Sequence, residues 1–470
     1  MRHPMSLSLP AAGKPPRTRS TTTWKCPMPH AEPVHRLLSV SESVLAALEQ
    51  QVVVAVTIDG PLETTVLRTA VDRLCRAQPV LSATVVAEGG LRFRLEAPAP
   101  QDVRVVTGGD FDGAIRGFAP GEPLLRVTVL PRMDGAHTVV VAVHHAVSDG
   151  VSVLELTRAL WGTYTALVTG REPEATEAQD GLPTPVEQWL VDRHDRAEID
   201  AFLARRAVFT ASVVPAVLPV GEGAGTGSHL SRVAITPSGT LRLRELAQRC
   251  GGSLHALLSA SLLVAVRGQI APERGALPLT CMSAVDLRRR VTPGVPPGRL
   301  VHAASIAYTA LDVAPDDDPL KVAPEFRSRL RRSVDAGDLE LELVAAEQAA
   351  AHFTTAPISL AVTNVAHRPL SLELPPGVRA GCLRFFSQPP GPFPIAFVSA
   401  SWEGLGIDLG LGRSWFSAGQ CTRLAEAVRD VVAGLLGDAE AVEVVAAEPI
   451  EEAQRAPERR DAPGTPAVHA

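Results

Sequence analysis

The stretch Thr138-Val139-Val140-Val141-Ala142-Val143-His144-His145-Ala146-Val147-Ser148-Asp149-Gly150 decides how this chain is read. Its first six residues form a β-branched, apolar strand, bounded upstream by the turn-forming Met133-Asp134-Gly135. From Val151 the period changes: Val153, Leu154, Thr157, Leu160, Trp161, Tyr164 and Leu167 fall on one helical face, and Gly170 stands just beyond as a stop. Residues 138–168 therefore read as strand, short loop, helix, with two histidines, an aspartate and a glycine gathered in the loop. A buried strand holds its last residues rigidly, and glycine lets a backbone pass close to a neighbour, so a reactive group placed there is held to useful precision. Histidine is the side chain suited to moving a proton at neutral pH.

The same residues have a plainer reading, as two satisfied core imidazoles followed by a turn and a helix cap. At average residue frequencies, however, four fixed positions coincide by chance on the order of once per thousand chains of this length. That coincidence, in a strand-loop-helix setting, favours a functional site. The chain has no G-x-S-x-G nucleophile elbow and no cysteine in a nucleophile motif.

Upstream, Ser41 is expected to cap a short helix through Gln50, after which Val52, Val54, Val56 and Ile58 alternate to Asp59-Gly60 as a strand and turn. Pro61 then opens a helix carrying Leu62, Val66, Leu67, Ala70, Val71 and Leu74 at helical spacing, which Gln78-Pro79 ends. Strands resume at Leu81, at 91–96 and at 125–130. Downstream, 171–185 is polar with Pro and Gly and 215–227 is Gly/Pro-rich, marking a crossover between two lobes. The expected division is an N-terminal lobe over 28–185 and a C-terminal lobe over 186–445 that includes the crossover. The second lobe repeats a mixed α/β grammar: a helix at Leu241–Arg249, a Ser253-capped helix to Arg267, and strands at 277–284 and 305–313. A charged helix at 319–334, strands at 357–364, 381–387, 394–401 and 405–411, and a last helix over 417–436 follow. The glycines at 404, 406, 410 and 412 fit neither G-x-G-x-x-G nor a Walker A pattern.

The chain is 470 residues long, enough for two or three domains and a large core, and 46% apolar with 20% charged residues, which excludes global disorder. Lys+Arg 45 against Asp+Glu 51 gives a net charge of −6, with no basic run interleaved with aromatics, so nucleic acid is not an expected partner. Lysine occurs only at 14, 25 and 321, and this Arg preference with the Ala, Gly, Pro and Val bias suggests a GC-rich bacterial genome. Six scattered cysteines without C-x-x-C argue against a disulfide framework or a zinc site and fit a reducing cytoplasm. The longest apolar run, Ala256–Val266, falls short of the ~18–20 residues of a membrane span. Residues 1–27 lack a secretory apolar core and are expected to be disordered, as is the acidic, Pro-rich tail over 446–470. Patterned sequence begins only after Met28, which reads as the natural start.

His144 to Gly150 matches the HHxxxDG signature, and on it the chain resembles the condensation-domain and plant-type acyltransferase superfamily. Val34-His35-Arg36-Leu37-Leu38-Ser39 with Glu42, Gln78-Pro79-Val80-Leu81 and Val285-Asp286-Leu287-Arg288 extend the likeness to the polyketide-associated acyltransferases that esterify phthiocerol-type diols. The resemblance covers about residues 30 to 440. It implies an α/β fold of two chloramphenicol-acetyltransferase-like lobes, mixed sheets flanked by helices, facing each other across a substrate tunnel. It also implies direct transfer of an acyl group from a carrier-protein or coenzyme A thioester to a hydroxyl, without an acyl-enzyme.

Carried over residue by residue, the resemblance makes His145 the general base and His144 a support of the loop. Asp149 would be structural, paired with Arg288 of the second lobe, and Gly150 would permit close packing where a side chain would block the tunnel. Thr363 and Asn364, at a strand end, would help to place substrate or stabilise the oxyanion. Without the resemblance, Arg288 in the run Asp286-Leu287-Arg288-Arg289-Arg290 reads as a solvated charge, and Asn364 equally as a turn former. The D-F-G-W-G motif of the plant branch is absent. No metal or tightly bound cofactor is implied, the substrates are expected to be fairly apolar, and a monomer suffices for one complete site. Two other readings share the motif: a freestanding condensation enzyme that forms amides, since the same base serves an amine, and a non-catalytic module that binds an acyl carrier.

Overall fold

Valine-rich strands and two long amphipathic helices build the first half of the computed structural model, which describes residues 35–446 apart from 88–90, 95–104, 120, 175–178, 180, 222, 272–273, 293, 347 and 349–357. In chain order the elements are β1 (His35–Leu37), α1 (Val40–Ala47), β2 (Gln51–Asp59), α2 (Thr64–Ala77), β3 (Thr84–Ala87), β4 (Leu91–Arg94), β5 (Val105–Thr107), α3 (Phe111–Ala114), β6 (Leu125–Pro131), β7 (His137–His144) and α4 (Gly150–Val168). There follow α5 (Val186–Leu190), α6 (Arg196–Ser212), β8 (Ser228–Ile235), α7 (Pro237–Arg249), α8 (Leu254–Gly268), β9 (Leu277–Asp286), β10 (Ala304–Val313), α9 (Pro319–Asp335) and α10 (Asp338–Val344). The last are β11 (Leu360–Asn364), β12 (Arg379–Phe386), β13 (Ile395–Ser401), β14 (Gly404–Gly412), α11 (Ala418–Leu436) and β15 (Val442–Ala446).

Two mixed sheets flanked by helices result, together with a small antiparallel sheet of β1, β4 and β3. The first sheet has the order β12-β2-β7-β6-β5, and its core takes Leu67, Val71 and Leu74 from α2 and Val153, Leu160 and Trp161 from α4. The second has the order β10-β9-β11-β13-β14-β8-β15, with β11 parallel to both of its neighbours. Residues of α7, α8, α9 and α11 close that core, among them Leu243, Leu257, Phe326 and Val428. Among the described residues no single helix is long and apolar enough to cross a membrane, and the apolar run of α8 is buried in this core.

Several boundaries move for physical reasons. The cap of α1 is Ser39 rather than Ser41: Ser39 Oγ accepts from the Glu42 N–H, and the Glu42 carboxylate accepts from the Ser39 N–H at 2.8 Å, a reciprocal box that Ser41 cannot form. The helix ends at Ala47, short of Gln50, and α2 starts at Thr64, with Pro61 outside it. Ser253 caps α8 as expected, accepting from the Ala256 N–H. Helix α6 and strand β8, with β5, β15 and α10, are elements that periodicity did not single out. Of the segments expected to be disordered, 1–27 and 446–470, only Ala446, the last residue of β15, is among the described residues.

The strand expected at 381–387, within the C-terminal lobe, belongs to the first sheet instead. It spans Arg379–Phe386 and pairs antiparallel with β2 at the edge of the first sheet, Phe386 opposite Val53. What holds it there is a buried carboxylate on the second sheet. Asp408 of β14 is fully buried; it accepts from Arg384 Nε at 2.8 Å and from the Phe385 N–H at 3.1 Å, and pairs with Arg232 of β8 at 2.9 Å. The glycines around it now have a reason. Leu405, Ile407, Leu409 and Leu411 point into the helix-covered core, while Gly406, Gly410 and Gly412 lie against the Arg232 guanidinium, Pro389 and the Trp415 ring.

Gly406→Ala is therefore expected to push the guanidinium of Arg232 off Asp408. Breaking a buried pair costs about 3–5 kcal/mol, so thermal unfolding should show a melting temperature several degrees lower. An unchanged melting temperature would mean that the guanidinium has room to move.

Candidate functional site

The β2–β7 ladder carries the two histidines to their places. His144 is the last residue of β7, opposite Gln51. The His145 N–H continues the ladder one residue further, donating to Gln50 O at 2.9 Å. A single 3-10 turn over His145–Val147 then reverses the chain, closed by Ser148 Oγ donating to His144 O at 3.0 Å. Asp149 follows as the N-cap of α4, its Oδ1 accepting from the Ser152 N–H at 3.0 Å.

The hydrogen bonds give the two imidazoles opposite tautomers. His144 Nδ1 accepts from the Ala146 N–H at 3.1 Å, so its lone pair is spent on backbone and its proton sits on Nε2. His145 Nδ1 lies 2.8 Å from the carbonyl of Ser148, which can only accept, so Nδ1 carries the proton and Nε2 the lone pair. Burial lowers the His144 pKa to about 4, with the neighbouring His145 acting in the same direction. Burial, and then the adjacent His302, lower that of His145 to about 4 as well. Both rings are neutral at physiological pH, and His145 is in the form that can take up a proton.

Asp149 and Arg288 meet, as the resemblance implied, and the charge-run reading of Arg288 gives way: the side chain is only 5% exposed. Arg288 Nη1 and Nη2 reach Asp149 Oδ2 and Oδ1 at 2.7 and 2.9 Å, a bidentate pair. Nη1 also donates to Asp286 Oδ1 at 3.0 Å, and Nη2 to Ser152 Oγ at 2.6 Å and Val301 O at 3.1 Å. The remaining capacity of Asp149 Oδ2 takes the Ala303 N–H at 2.9 Å. Burial alone would raise the Asp149 pKa, but the Arg288 guanidinium more than offsets it and holds the carboxyl far below the usual range. A second contact runs parallel to the pair: Glu155 of α4 meets Arg368 at 2.5 Å and accepts from the Gly298 N–H at 3.1 Å.

Gly150 opens α4 where a Cβ would come within 2.7 Å of the Phe385 ring and 2.9 Å of Val365. Its missing side chain thus makes room for β12 and for the segment after β11. Thr363 and Asn364 end β11, and Asn364 Oδ1 accepts from the Ala366 N–H at 3.0 Å, the turn-forming contact. Among the described residues no hydrogen bond ties either of them to His145. Sequence reasoning missed His302, whose ring stands edge-on to His145 with centroids 5.3 Å apart, as well as Ser152 and the Val301 carbonyl at the Arg288 side chain. His302 belongs to no motif; only the tertiary fold brings it to the site. Among the described residues no group of His, Cys, Asp and Glu is arranged to hold a metal ion.

Residues 225–402 match the family described as the phthiocerol/phthiodiolone dimycocerosyl transferase C-terminus. The phthiocerol/phthiodiolone dimycocerosyl transferase of Mycobacterium leprae (strain TN) is 25% identical over 338 residues, covering 69% of this chain and 77% of that protein. The protein of the same name from Mycobacterium tuberculosis (strain ATCC 25618 / H37Rv) is 25% identical over 342 residues, with the same coverage. Among solved structures, polyketide synthase associated protein 5 from Mycobacterium tuberculosis superposes with a TM-score of 0.66 at 20% identity, covering 84% of this chain and 97% of that one. The first condensation domain of the calcium-dependent antibiotic synthetase gives 0.65 at 17% identity, covering 88% and 100%. Trichothecene 15-O-acetyltransferase from Fusarium sporotrichioides gives 0.69 at 10% identity, covering 85% and 95%. The resemblance stated on HHxxxDG is borne out, and the fold is that of condensation domains and their acyltransferase relatives.

Asp149→Ala should leave the buried Arg288 with Asp286 alone as counter-charge, at a cost of about 3 kcal/mol in denaturant unfolding, the lower end for a broken buried pair. Wild-type stability in that variant would show the pair to be dispensable. The histidines set a pH dependence. An unfolded chain protonates them near pH 6.5 and the folded one near 4, so the unfolded state binds more protons in between, and stability falls as the pH drops through that window. His144→Gln, which keeps an acceptor for the Ala146 N–H, should flatten the fall by on the order of 2–3 kcal/mol. A pH–stability curve superimposable on that of wild type would contradict the buried neutral form.

Proposed function

For a chain of the condensation-domain and acyltransferase fold, related in sequence to the dimycocerosyl transferases, we propose O-acyl transfer from an activated thioester to a hydroxyl, with His145 as general base. The observation that carries this reading is the tautomer of His145: Nδ1–H is tied to the Ser148 carbonyl at 2.8 Å, which leaves the Nε2 lone pair for the acceptor proton. The acceptor oxygen attacks the thioester carbonyl carbon as His145 Nε2 takes the hydroxyl proton. When the carbon–sulfur bond breaks, the sulfur leaves as thiolate and recovers that proton from the imidazolium, giving ester and free thiol.

No protein nucleophile is required, because the thioester is already activated and holding two substrates together removes much of the entropic barrier. A base that stays neutral through the physiological range suits a step in which it must first accept a proton. In this reading Asp149 and Arg288 act structurally, His144 supports the loop, and Thr363 and Asn364 place the acyl carbonyl or its oxyanion. The donor is an acyl group on coenzyme A or on the phosphopantetheine of a carrier protein, and the acceptor is a fairly apolar, polyketide- or lipid-like alcohol. A cytoplasmic setting fits the free cysteines among the described residues.

Free-thiol release from a panel of acyl-coenzyme A and carrier-loaded donors, with long-chain alcohols and amines as acceptors, tests this. Release that depends on the alcohol and falls by about 10²- to 10⁴-fold in a folded His145→Ala variant is the expected result. A variant within a few fold of wild type would overturn the base assignment. Release with amines alone would make the protein an amide-forming condensation enzyme, and no release from any pair would make it a carrier-binding module.

A further inference from the structure

His302 enters the site from the second sheet, in the segment just before β10. Its ring meets His145 edge-on, with centroids 5.3 Å apart and planes at 69°. Its Nδ1 lies 3.4 Å from the Ser148 carbonyl oxygen that already takes His145 Nδ1–H at 2.8 Å, and a carbonyl has two lone pairs with which to accept both. The backbone on either side of His302 is pinned. The Val301 carbonyl accepts from Arg288 Nη2 at 3.1 Å and from Ser152 Oγ at 2.9 Å, while the Ala303 N–H donates to Asp149 Oδ2 at 2.9 Å. The buried Asp149–Arg288 pair therefore grips the peptide units that flank this one imidazole.

We propose that His302 is a positioning residue for the general base: seated against His145 and sharing the Ser148 carbonyl, it holds the His145 ring with Nδ1 on that carbonyl, and the Asp149–Arg288 pair delivers it there by gripping the peptide units on either side of it. This rests on the general-base reading of His145 and extends it. Asp149 then acts on the chemistry through His302 as well as through the cap of α4. The groups around His145 are His302 from the second sheet, His144 before it in the chain, the Ser148 carbonyl, and Asp149 at the start of α4. Burial and, after it, His302 oppose a charge on His145, whereas the Ser148 carbonyl and Asp149 favour one. Removing the His302 imidazole should therefore move the His145 titration upward and loosen the ring.

Long-range ¹H–¹⁵N NMR of the His145 ring, read across pH in wild type, His302→Phe and His302→Ala, is the test, with transfer rates measured alongside. Wild type should show the Nδ1–H tautomer. His302→Phe, which keeps an aromatic edge against His145, should keep that tautomer while its titration midpoint rises. His302→Ala should show mixed tautomers and a kcat lower by about tenfold, with KM within about twofold, as expected for a base displaced by a fraction of an ångström. In both variants the acid limb of the kcat/KM profile should move to higher pH. A His145 tautomer, midpoint and acid limb unchanged in both variants would overturn the proposal. If wild type transfers no acyl group, the functional reading fails, while the NMR comparison still decides whether His302 holds the ring.

Discussion

A carboxylate and a guanidinium, both nearly excluded from water and set just beyond the ends of β7 and β9, strands of different sheets, are the interaction on which the site depends. Buried charges are stable only when paired and hydrogen bonded, and here both partners carry several bonds. Asp149 takes two bonds from Arg288 and two from backbone N–H groups, and the Arg288 Nη groups also lie within hydrogen-bond distance of Asp286, Ser152 and the Val301 carbonyl. Every partner is a piece of the site's wall: the first turn of α4, the end of β9, and the segment that leads into β10. Neither half of the chain can shift without leaving a charge uncompensated.

A second buried carboxylate does for the sheets what Asp149 does for the loop. Asp408 fastens β12, a strand from late in the chain, onto the edge of a sheet otherwise built from residues 51–144. The Phe385 ring on that strand then fills the space that Gly150 leaves at the start of α4. The glycine of the loop motif and the glycines of β14 are thus complementary, since each removes a side chain where a strand, a ring or a guanidinium must approach.

How much of this is legible in the sequence depends on how local the cause is. The strand ending at His144, the turn and the helix from Gly150 follow from side-chain period and cap chemistry within about 30 residues, and so does the Ser253 cap of α8. The Ser39–Glu42 box had the local signature of a cap as well, but Ser41 competes with it at a distance of two residues. Helix α6 buries only Phe202 and Arg206, too thin an apolar stripe to announce a helix. Strand β8 carries Arg232 among its buried residues, a break in alternation that makes sense only once Asp408 is opposite it. The place of β12 and the approach of His302 to His145 are long-range pairings, which no single stretch of residues encodes. Arg288 was recoverable only through the family likeness; its own surroundings in the sequence are those of an exposed charge run.

One buried pair ties the turn after β7 to the segments that flank β9 and β10, and thereby holds the walls around the His145 imidazole. A double-mutant cycle on Asp149→Ala and Arg288→Ala, read in both unfolding free energy and the rate of acyl transfer, measures how far the pair does both. Strong coupling is expected in both readouts, at the upper end of the roughly 0.5–3 kcal/mol found for interacting residues, because the second substitution removes a buried charge that has already lost its bidentate partner. Additive effects, within about 0.5 kcal/mol in either readout, would contradict it.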